Sequence, residues 1–390
     1  MRIAIIGFNF SAIGGLEIVS KAIAEVLVRR GHHVQCLALH ESDTSRHHEV
    51  EVVGLAPKTF VLRNISHRFP GLLSGKTLGH HLRDADVVIA THSHALKTVM
   101  PVIDRLPSRP TVVSWLHGRE VWAKLGMDIA PQLHSVDHMV AVSHFTAKTV
   151  GALLPQARSI SVIHNPVDTN VFVPVSSSSD IRRHHILTVG RHDHDSRHKG
   201  YAVLIDAMHL LQRKRPDLPL RLTITGFGPL IAEHRRQIAS LALEDVVSLA
   251  GRVSRSTLRS LYQTTDIFAF PSRHESAGGE EFGEGFGVVN AEAAACGRPV
   301  LTSTHGGCPE TVLDGVTGFA VDPTSPEAVA LKIATLFDMS PEERDAMGAR
   351  GRAMAVERFS TPVFEQQVGN FVEACAALPA PSGPVPGASA

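Results

Sequence analysis

Two glutamates eight positions apart, Glu284 and Glu292, lie in the stretch FAFPSRHESAGGEEFGEGFGVVNAEAAACGRPV, residues 268–300. The apolar run Phe268–Pro271 predicts a buried strand. A Gly- and Glu-rich loop follows, and Val288–Cys296 predicts a helix that Gly297 stops. At a rise of ~1.5 Å per helical residue, groups eight apart are separated by roughly 10–12 Å along the axis. That matches the span from ribose to hexose in a sugar nucleotide. Gly285 and Gly287 flank Phe286 and leave backbone N–H groups bare before Val288, where the positive end of the helix dipole favours a phosphate. One segment could therefore hold a sugar, a diphosphate and a ribose in a row. Solvated glutamates on an ordinary strand–loop–helix unit would explain the helix, but poorly explain two acids at this spacing around G-F-G.

A second charged constellation is GRHDHDSRHKG, residues 190–200. Gly190 turns the chain after a strand, Arg191 follows it, and Lys199 precedes Gly200 and the helix that begins YAVLIDAMHLL. Two cations near a helix N-terminus can neutralise a diphosphate leaving group, and their charge matters most as the bond to it breaks. The same stretch and its flank are rich in histidine (His184, His185, His192, His194, His198), without the helical spacing of a metal site.

These residues need elements to position them. Strand-like runs alternate with helical patterns from Arg2–Phe8 through Ser159–His164, and again from His185–Val189 through Phe319–Val321. That alternation predicts α/β architecture with parallel sheets covered on both faces. The chain has 390 residues, enough for two domains, and a serine-rich linker at Val173–Asp180 marks the boundary. The first helix, Gly15–Arg30, is expected to bury Ile18, Val19, Ala22, Ile23, Val26 and Leu27 on one face. Pro341 is expected to open a further helix, and Thr361–Ala377 to form the last one. The tail at 378–390 is Pro-, Gly- and Ser-rich and reads as disordered.

Composition excludes several classes. Thirty-eight basic residues balance 38 acidic ones, so nucleic acid is not expected as a partner. Cys36, Cys296, Cys308 and Cys375 form no C-x-x-C pair, which argues for a reducing compartment without disulfides or zinc. The opening MRIAIIGF is too short an apolar run for a signal peptide, and no run reaches the ~20 apolar residues of a membrane span. A cytoplasmic location is expected, at most peripheral to the inner face of the cell membrane. Between Glu51 and Asp84, Lys58, Arg63, Arg68 and Lys76 stand among apolar residues and no acid. This suits contact with an anionic membrane or a lipid-linked diphosphate; it equally suits an ordinary helix–loop with snorkelling cations.

The segment with Glu284, G-F-G and Glu292 resembles the signature of the retaining glycosyltransferases of family 4. Nearly the whole chain extends the likeness. Gly14–Gly15 stands where the family has G-G-x-E, His117 ends the strand TVVSWLHG, and Val142–Ser143 and HNPVDTNVF (164–172) match further segments. In the second half, Arg191 and Lys199, the turn at Gly226, Gly251-Arg252-Val253, and THGGCPE (304–310) all fall at family positions. One departure is the loop between Pro271 and Glu284. It is longer than the family's and adds Glu275, Glu280 and Glu281, acids that would shape a subsite or simply face solvent.

The resemblance implies the GT-B fold: two Rossmann-like domains, with parallel sheets facing across a donor-binding cleft. Residues 1–172 would form the acceptor-side domain, 181–360 the nucleotide-sugar domain, and the helix 361–377 would cross back to the first. It implies a metal-independent hexosyl transfer from a GDP- or UDP-sugar to a glycan or lipid-linked acceptor in cell-surface polysaccharide assembly, with mannose slightly favoured and no cofactor. In that reading Glu292 binds ribose and Glu284 the sugar. Arg191 and Lys199 hold the diphosphate with the backbone at Gly285, Phe286, Gly287 and Val288. His117 reaches the sugar from the other domain. Gly14, Gly15, Gly190, Gly226, Arg252 and Val253 line the donor. Asp193-His194-Asp195 resembles the D-x-D metal run of other glycosyltransferases, but lies inside the Arg–Lys loop and is not read as a metal site. A sugar-nucleotide epimerase of the same fold and a non-catalytic nucleotide-binding subunit stay open as alternatives. An NAD dehydrogenase does not, because FNFSAIGGLE lacks the G-x-G-x-x-G fingerprint.

Overall fold

The computed structural model describes residues 1–11, 14–41, 43, 45–47, 50–56, 77–155, 159–175 and 184–377. Lys58, Arg63, Arg68 and Lys76, the centre of the serine-rich linker and the tail lie outside them. The chain divides into two units, one of Met1–His164 with Phe364 onward and the other of Asn165–Val363.

The first unit is built on β1 (Arg2–Gly7), β2 (His33–Ala38), β3 (Ser45–His47), β4 (Val50–Gly54), β5 (Val87–Ala90), β6 (Thr111–Leu116), β7 (His138–Ala141) and β8 (Ile160–Val162). They form one sheet in the order β3-β4-β2-β1-β5-β6-β7-β8. Every pair is parallel except β3 with β4. All four residues of β5 are buried, as a parallel strand covered on both faces requires. Ile6, Leu37, Val88, Leu116 and Trp122 belong to the core that the covering helices close. Strand order reverses between β1 and β5, so loops after these strands diverge and leave a crevice at their C-terminal ends.

The helix Gly15–Arg29 turns inward most of the face its apolar residues suggest, with Val19, Ile23, Val26 and Leu27 buried as expected. It buries Val19, Ser20, Ile23, Ala24, Val26 and Leu27, while Ile18 is 52% exposed.

The second unit contains β9 (His185–Val189), β10 (Arg221–Thr225), β11 (Val247–Gly251), β12 (Ile267–Phe270), β13 (Glu275–Ala277), β14 (Glu280–Phe282), β15 (Val300–Ser303) and β16 (Gly318–Val321). Six of them form a parallel sheet in the order β11-β10-β9-β12-β15-β16, with its switch point between β9 and β12. Leu204, Met208, Leu222, Ile267 and Leu301 belong to its core.

The expected loop after β12 is a hairpin. β13 and β14 pair antiparallel across Gly278–Gly279, whose φ angles of +61° and +80° make the left-handed two-residue turn that glycine tolerates best. Downstream, the helix Pro341–Phe359 begins with a capping box: Glu343 N–H donates to Ser340 Oγ (3.2 Å) and Ser340 N–H to Glu343 Oε2 (2.8 Å). Arg352 on this helix donates to the carbonyls of Thr169, Phe172 and Ala295, and Asp168 Oδ1 accepts from the N–H groups of Asn170 and Val171. The segment after His164 is thus stitched into the second unit. The final helix, Thr361–Ala377, packs on the first, where Arg29 meets Glu365 and Arg30 meets Glu373 (3.0 Å).

Candidate functional site

The loops that follow β9 and β12 flank the switch point of the second sheet, and each carries one of the charged groups singled out in the sequence. The loop after β9 turns at Gly190 and runs through a 3-10 stretch, His194–Lys199, to the helix Tyr201–Lys214. The loop after β12 carries the hairpin and then Glu284, before the helix Val288–Ala295. Lys199 Nζ and Glu284 Oε1 form an ion pair between the two loops. His198 Nε2 lies 3.3 Å from the same oxygen. Enclosure opposes the Glu284 charge, but Lys199 and His198 outweigh it and hold the carboxyl at about 2. Lys199 also stands 5.3 Å from the centre of the Phe270 ring, a favourable cation–π distance.

Arg191 stands apart from this pair. It is exposed and reaches Asp193 Oδ2 at 3.1 Å, so the first acid of the D-x-D run faces a guanidinium. The nearby histidines face separate neighbours. His192 stacks on Tyr201 with ring centres 4.3 Å apart, His185 Nε2 meets Thr223 Oγ1 at 2.8 Å, and His198 meets Glu284.

The glycines explain how close these loops lie. A Cβ on Gly226, where φ is +127°, would stand 1.7 Å from the Gly190 carbonyl oxygen; one on Gly307 would stand 2.0 Å from that of Gly285. A side chain at Gly226 would push away the loop that carries Arg191, and one at Gly307 would push away the segment that carries Glu284. Gly307 N–H donates to the Glu284 carbonyl (2.9 Å), tying the THGGCPE turn to the same segment.

The helix Val288–Ala295 begins at Gly287, which is left-handed at φ +88°. Phe286 is not a ligand-facing side chain: it is buried and meets Phe359 edge-on at 5.1 Å, so it offers only its backbone here. Glu292 accepts a hydrogen bond from Tyr262 Oη at 2.9 Å. Enclosure raises its carboxyl to about 7, with Tyr262 and Arg255 pulling the other way. Arg252 lies exposed beside Val253, its guanidinium 4.4 Å from the Phe227 ring centre.

In the first unit, His117 follows β6. Its Nε2–H donates to the Thr91 carbonyl (2.8 Å), and its backbone N–H donates to Glu120 Oε1 (2.5 Å). Burial pulls its pKa below the ordinary value against Glu120, so the ring is neutral at pH 7 with Nδ1 as the acceptor nitrogen. Gly14 is the N-cap of the helix Gly15–Arg29, and the Glu17 carboxylate covers it. A Cβ on Gly14 would stand 2.3 Å from Glu17 Oε2. An anion at this helix start would first have to displace that acid.

Each half of the chain matches a known family. The description of glycosyl transferases group 1 matches residues 177–354, and that of glycosyltransferase family 4 matches residues 13–171. A GDP-mannose-dependent alpha-(1-6)-phosphatidylinositol monomannoside mannosyltransferase of Mycolicibacterium smegmatis is 30% identical over 296 residues, 73% of this chain and 75% of that protein. The chain belongs to the glycosyltransferases of this family. A Salmonella typhimurium glycosyltransferase named for colanic acid biosynthesis is 25% identical over 88% of this chain and 93% of its own. Among solved structures, Anabaena HepE in complex with UDP and glucose superposes with a TM-score of 0.73 at 21% identity, covering 96% of this chain and all of HepE. The sucrose-phosphate synthase of Thermosynechococcus elongatus reaches 0.78 at 19% identity, over 96% and 98%. The fold is GT-B, with two Rossmann-like units.

Three groups went unread in the sequence. Tyr262 bonds Glu292, His198 bonds Glu284, and Tyr201 packs under Gly190, where a Cβ would stand 2.4 Å from its hydroxyl. Only His198 carried a signal, its place next to Lys199. Tyr262 lies thirty positions from its partner, and nothing local points to the pair.

Proposed function

We propose that the protein is a retaining glycosyltransferase that moves a hexose, mannose by preference, from a nucleotide-diphosphate sugar to a glycolipid or glycan acceptor in cell-surface glycan assembly. The observation that carries this reading is the Lys199–Glu284 pair at the switch point, with Arg191 free to turn from Asp193. A diphosphate entering here would take Lys199 and Arg191 as counter-charges, leaving Glu284 to accept hydrogen bonds from sugar hydroxyls. Glu292, beside Tyr262, would accept the ribose hydroxyls. The backbone N–H groups of Gly287 and Val288 would face the phosphates.

In this reading His117 offers a neutral imidazole to the sugar. Gly14, Gly15, Gly190, Gly226, Arg252, Val253 and Gly285 line the donor. No metal and no cofactor take part, because two cations and a helix start supply the charge that departing diphosphate needs. The M. smegmatis relative, dependent on GDP-mannose and acting on a phosphatidylinositol mannoside, supports GDP-mannose and a lipid-borne acceptor. HepE with UDP and glucose keeps a UDP-hexose as the second donor to test. No helix among the described residues is long and apolar enough to cross a membrane. In this reading a lipid-borne acceptor is met by peripheral contact at the inner face of the cell membrane.

Calorimetric titration with GDP and UDP, each with and without EDTA, tests the reading. GDP binding that survives EDTA, followed by mannosyl transfer from GDP-mannose with an α-anomeric product by NMR, is the expected result. Binding of neither nucleotide would remove the donor-site assignment. Turnover of the sugar nucleotide at a rate no acceptor increases would favour the epimerase alternative.

A further inference from the structure

His198 shares one oxygen of Glu284 with Lys199, yet the two side chains are held very differently. The ring of His198 is fixed at both ends: Nδ1 lies 2.8 Å from the Asp195 carbonyl and Nε2 lies 3.3 Å from Glu284 Oε1. Both oxygens only accept, so both contacts are hydrogen bonds when each ring nitrogen carries a proton; a neutral ring serves one of them. The backbone is fixed as well. The His198 carbonyl accepts from Arg273 N–H (2.6 Å) and Ser272 Oγ (3.2 Å), both in the segment after β12 that leads to Glu284. His198 and Glu284 are thereby clamped to one strap of chain. Lys199 reaches the carboxylate on a four-carbon stem that can swing without moving the backbone.

Donor binding would separate these two roles. If Lys199 turns to a diphosphate, Glu284 loses its strongest partner while remaining largely enclosed, with 19% of its side chain exposed. A carboxylate left so without a donor is costly and poorly aimed. We infer that His198 is the positioning residue that holds the Glu284 carboxylate in place for the donor sugar once Lys199 has been drawn to the diphosphate. The inference rests on the reading of Lys199 and Glu284 given above. It extends that reading to a residue with no part in the Arg–Lys pattern. His198 acts through Glu284 rather than on the donor itself, so its loss should be felt by the sugar and not by the nucleotide.

Calorimetry on wild type and on His198→Leu, His198→Asn and His198→Gln tests this, with two ligand pairs: GDP-mannose against GDP, and UDP-glucose against UDP. Whichever pair the wild type binds supplies the comparison. A glutamine amide can reach the place of Nε2 and donate to Glu284, whereas an asparagine amide reaches only the place of Nδ1 and serves Asp195. The Leu and Asn variants should therefore weaken sugar-nucleotide binding about tenfold while nucleotide binding stays within about twofold, and Gln should restore most of the loss. Should the Leu variant fail to fold, the Asn–Gln contrast carries the test alone. Sugar nucleotide and nucleotide weakened equally, or Asn and Gln behaving alike, would overturn the inference. Wild-type protein that binds neither pair would overturn the functional reading and this inference with it; intact wild-type binding with an unchanged ratio in the variants overturns this inference alone.

Discussion

Lys199 and Glu284, 85 positions apart in sequence, close an ion pair over the point where the second sheet reverses its strand order. Each comes from a different βα loop, so the pair exists only when β9 and β12 lie side by side. Its members are the same two residues that the functional reading assigns to the diphosphate and the sugar. In that reading the protein stores its ligand-binding charges against each other.

That storage has a stability consequence. Lys199→Met should cost about 2 kcal/mol at pH 7, less than the roughly 3–5 kcal/mol of a fully buried pair, because both side chains keep some exposure. Lys199→Met with Glu284→Gln should recover much of that loss, since no charge is left unpartnered. The sign with pH follows from the depressed Glu284. Its contribution is complete above the unfolded value of 4.5 and is lost as pH falls toward about 2. Urea unfolding of the single and double variants at pH 7 and pH 3 checks this; a double variant weaker than Lys199→Met would refute it.

Arg191 should behave in the opposite way. Its side chain is 74% exposed and its partner Asp193 is a surface acid, so Arg191→Ala should leave the melting temperature nearly unchanged. Turnover should fall about 100-fold, the usual scale for losing a charge aimed at a leaving group. Thermal unfolding beside initial-rate measurements separates the two effects, and unimpaired turnover would take Arg191 out of the site.

Glu292 predicts a pH dependence. Its folded value is raised to about 7 from an ordinary 4.5, so between those limits the folded protein holds more protons than the unfolded chain. Stability from this group is therefore lost as pH rises from about 4.5 to 7. Glu292→Gln should flatten that part of the stability curve. Ribose hydroxyls donate to the charged form, so nucleotide affinity should rise across the same interval, with release of a proton. Calorimetry in buffers of different ionisation enthalpy measures that proton; its absence would count against the ribose role.

Gly307→Ala tests the close approach of the two loops. The added methyl would meet the Gly285 carbonyl at 2.0 Å, so the segment with Glu284 must move. A loss of about 2 kcal/mol and a larger loss in donor affinity are expected. Gly151→Ala serves as the control: it lies in the helix His144–Leu153 with nothing within 4 Å of the added atom, and should be neutral or slightly stabilising. Equal effects at the two positions would mean that loop packing does not control the site.

Much of this protein was legible in its sequence because the signals are local. Fully apolar runs such as Val87–Ala90 and Ile267–Phe270 specify strands covered on both faces, and Gly287 and Gly297 bound the helix carrying Glu292. The residue types at 191, 199, 284 and 292 suggested a donor site through their charge and neighbours. Even the hairpin had a local signal, Gly278–Gly279 between short alternating runs, but the acids around it suggested a loop. The tertiary structure alone decided which groups meet. It turned Ile18 outward, joined Tyr262 to Glu292, buried Phe286 against Phe359, and set His198 and Lys199 on one oxygen of Glu284. Sequence carries the charge of each group and the period of each element. The partner of a charge depends on which strands become neighbours, and strand order is decided by packing across the whole sheet.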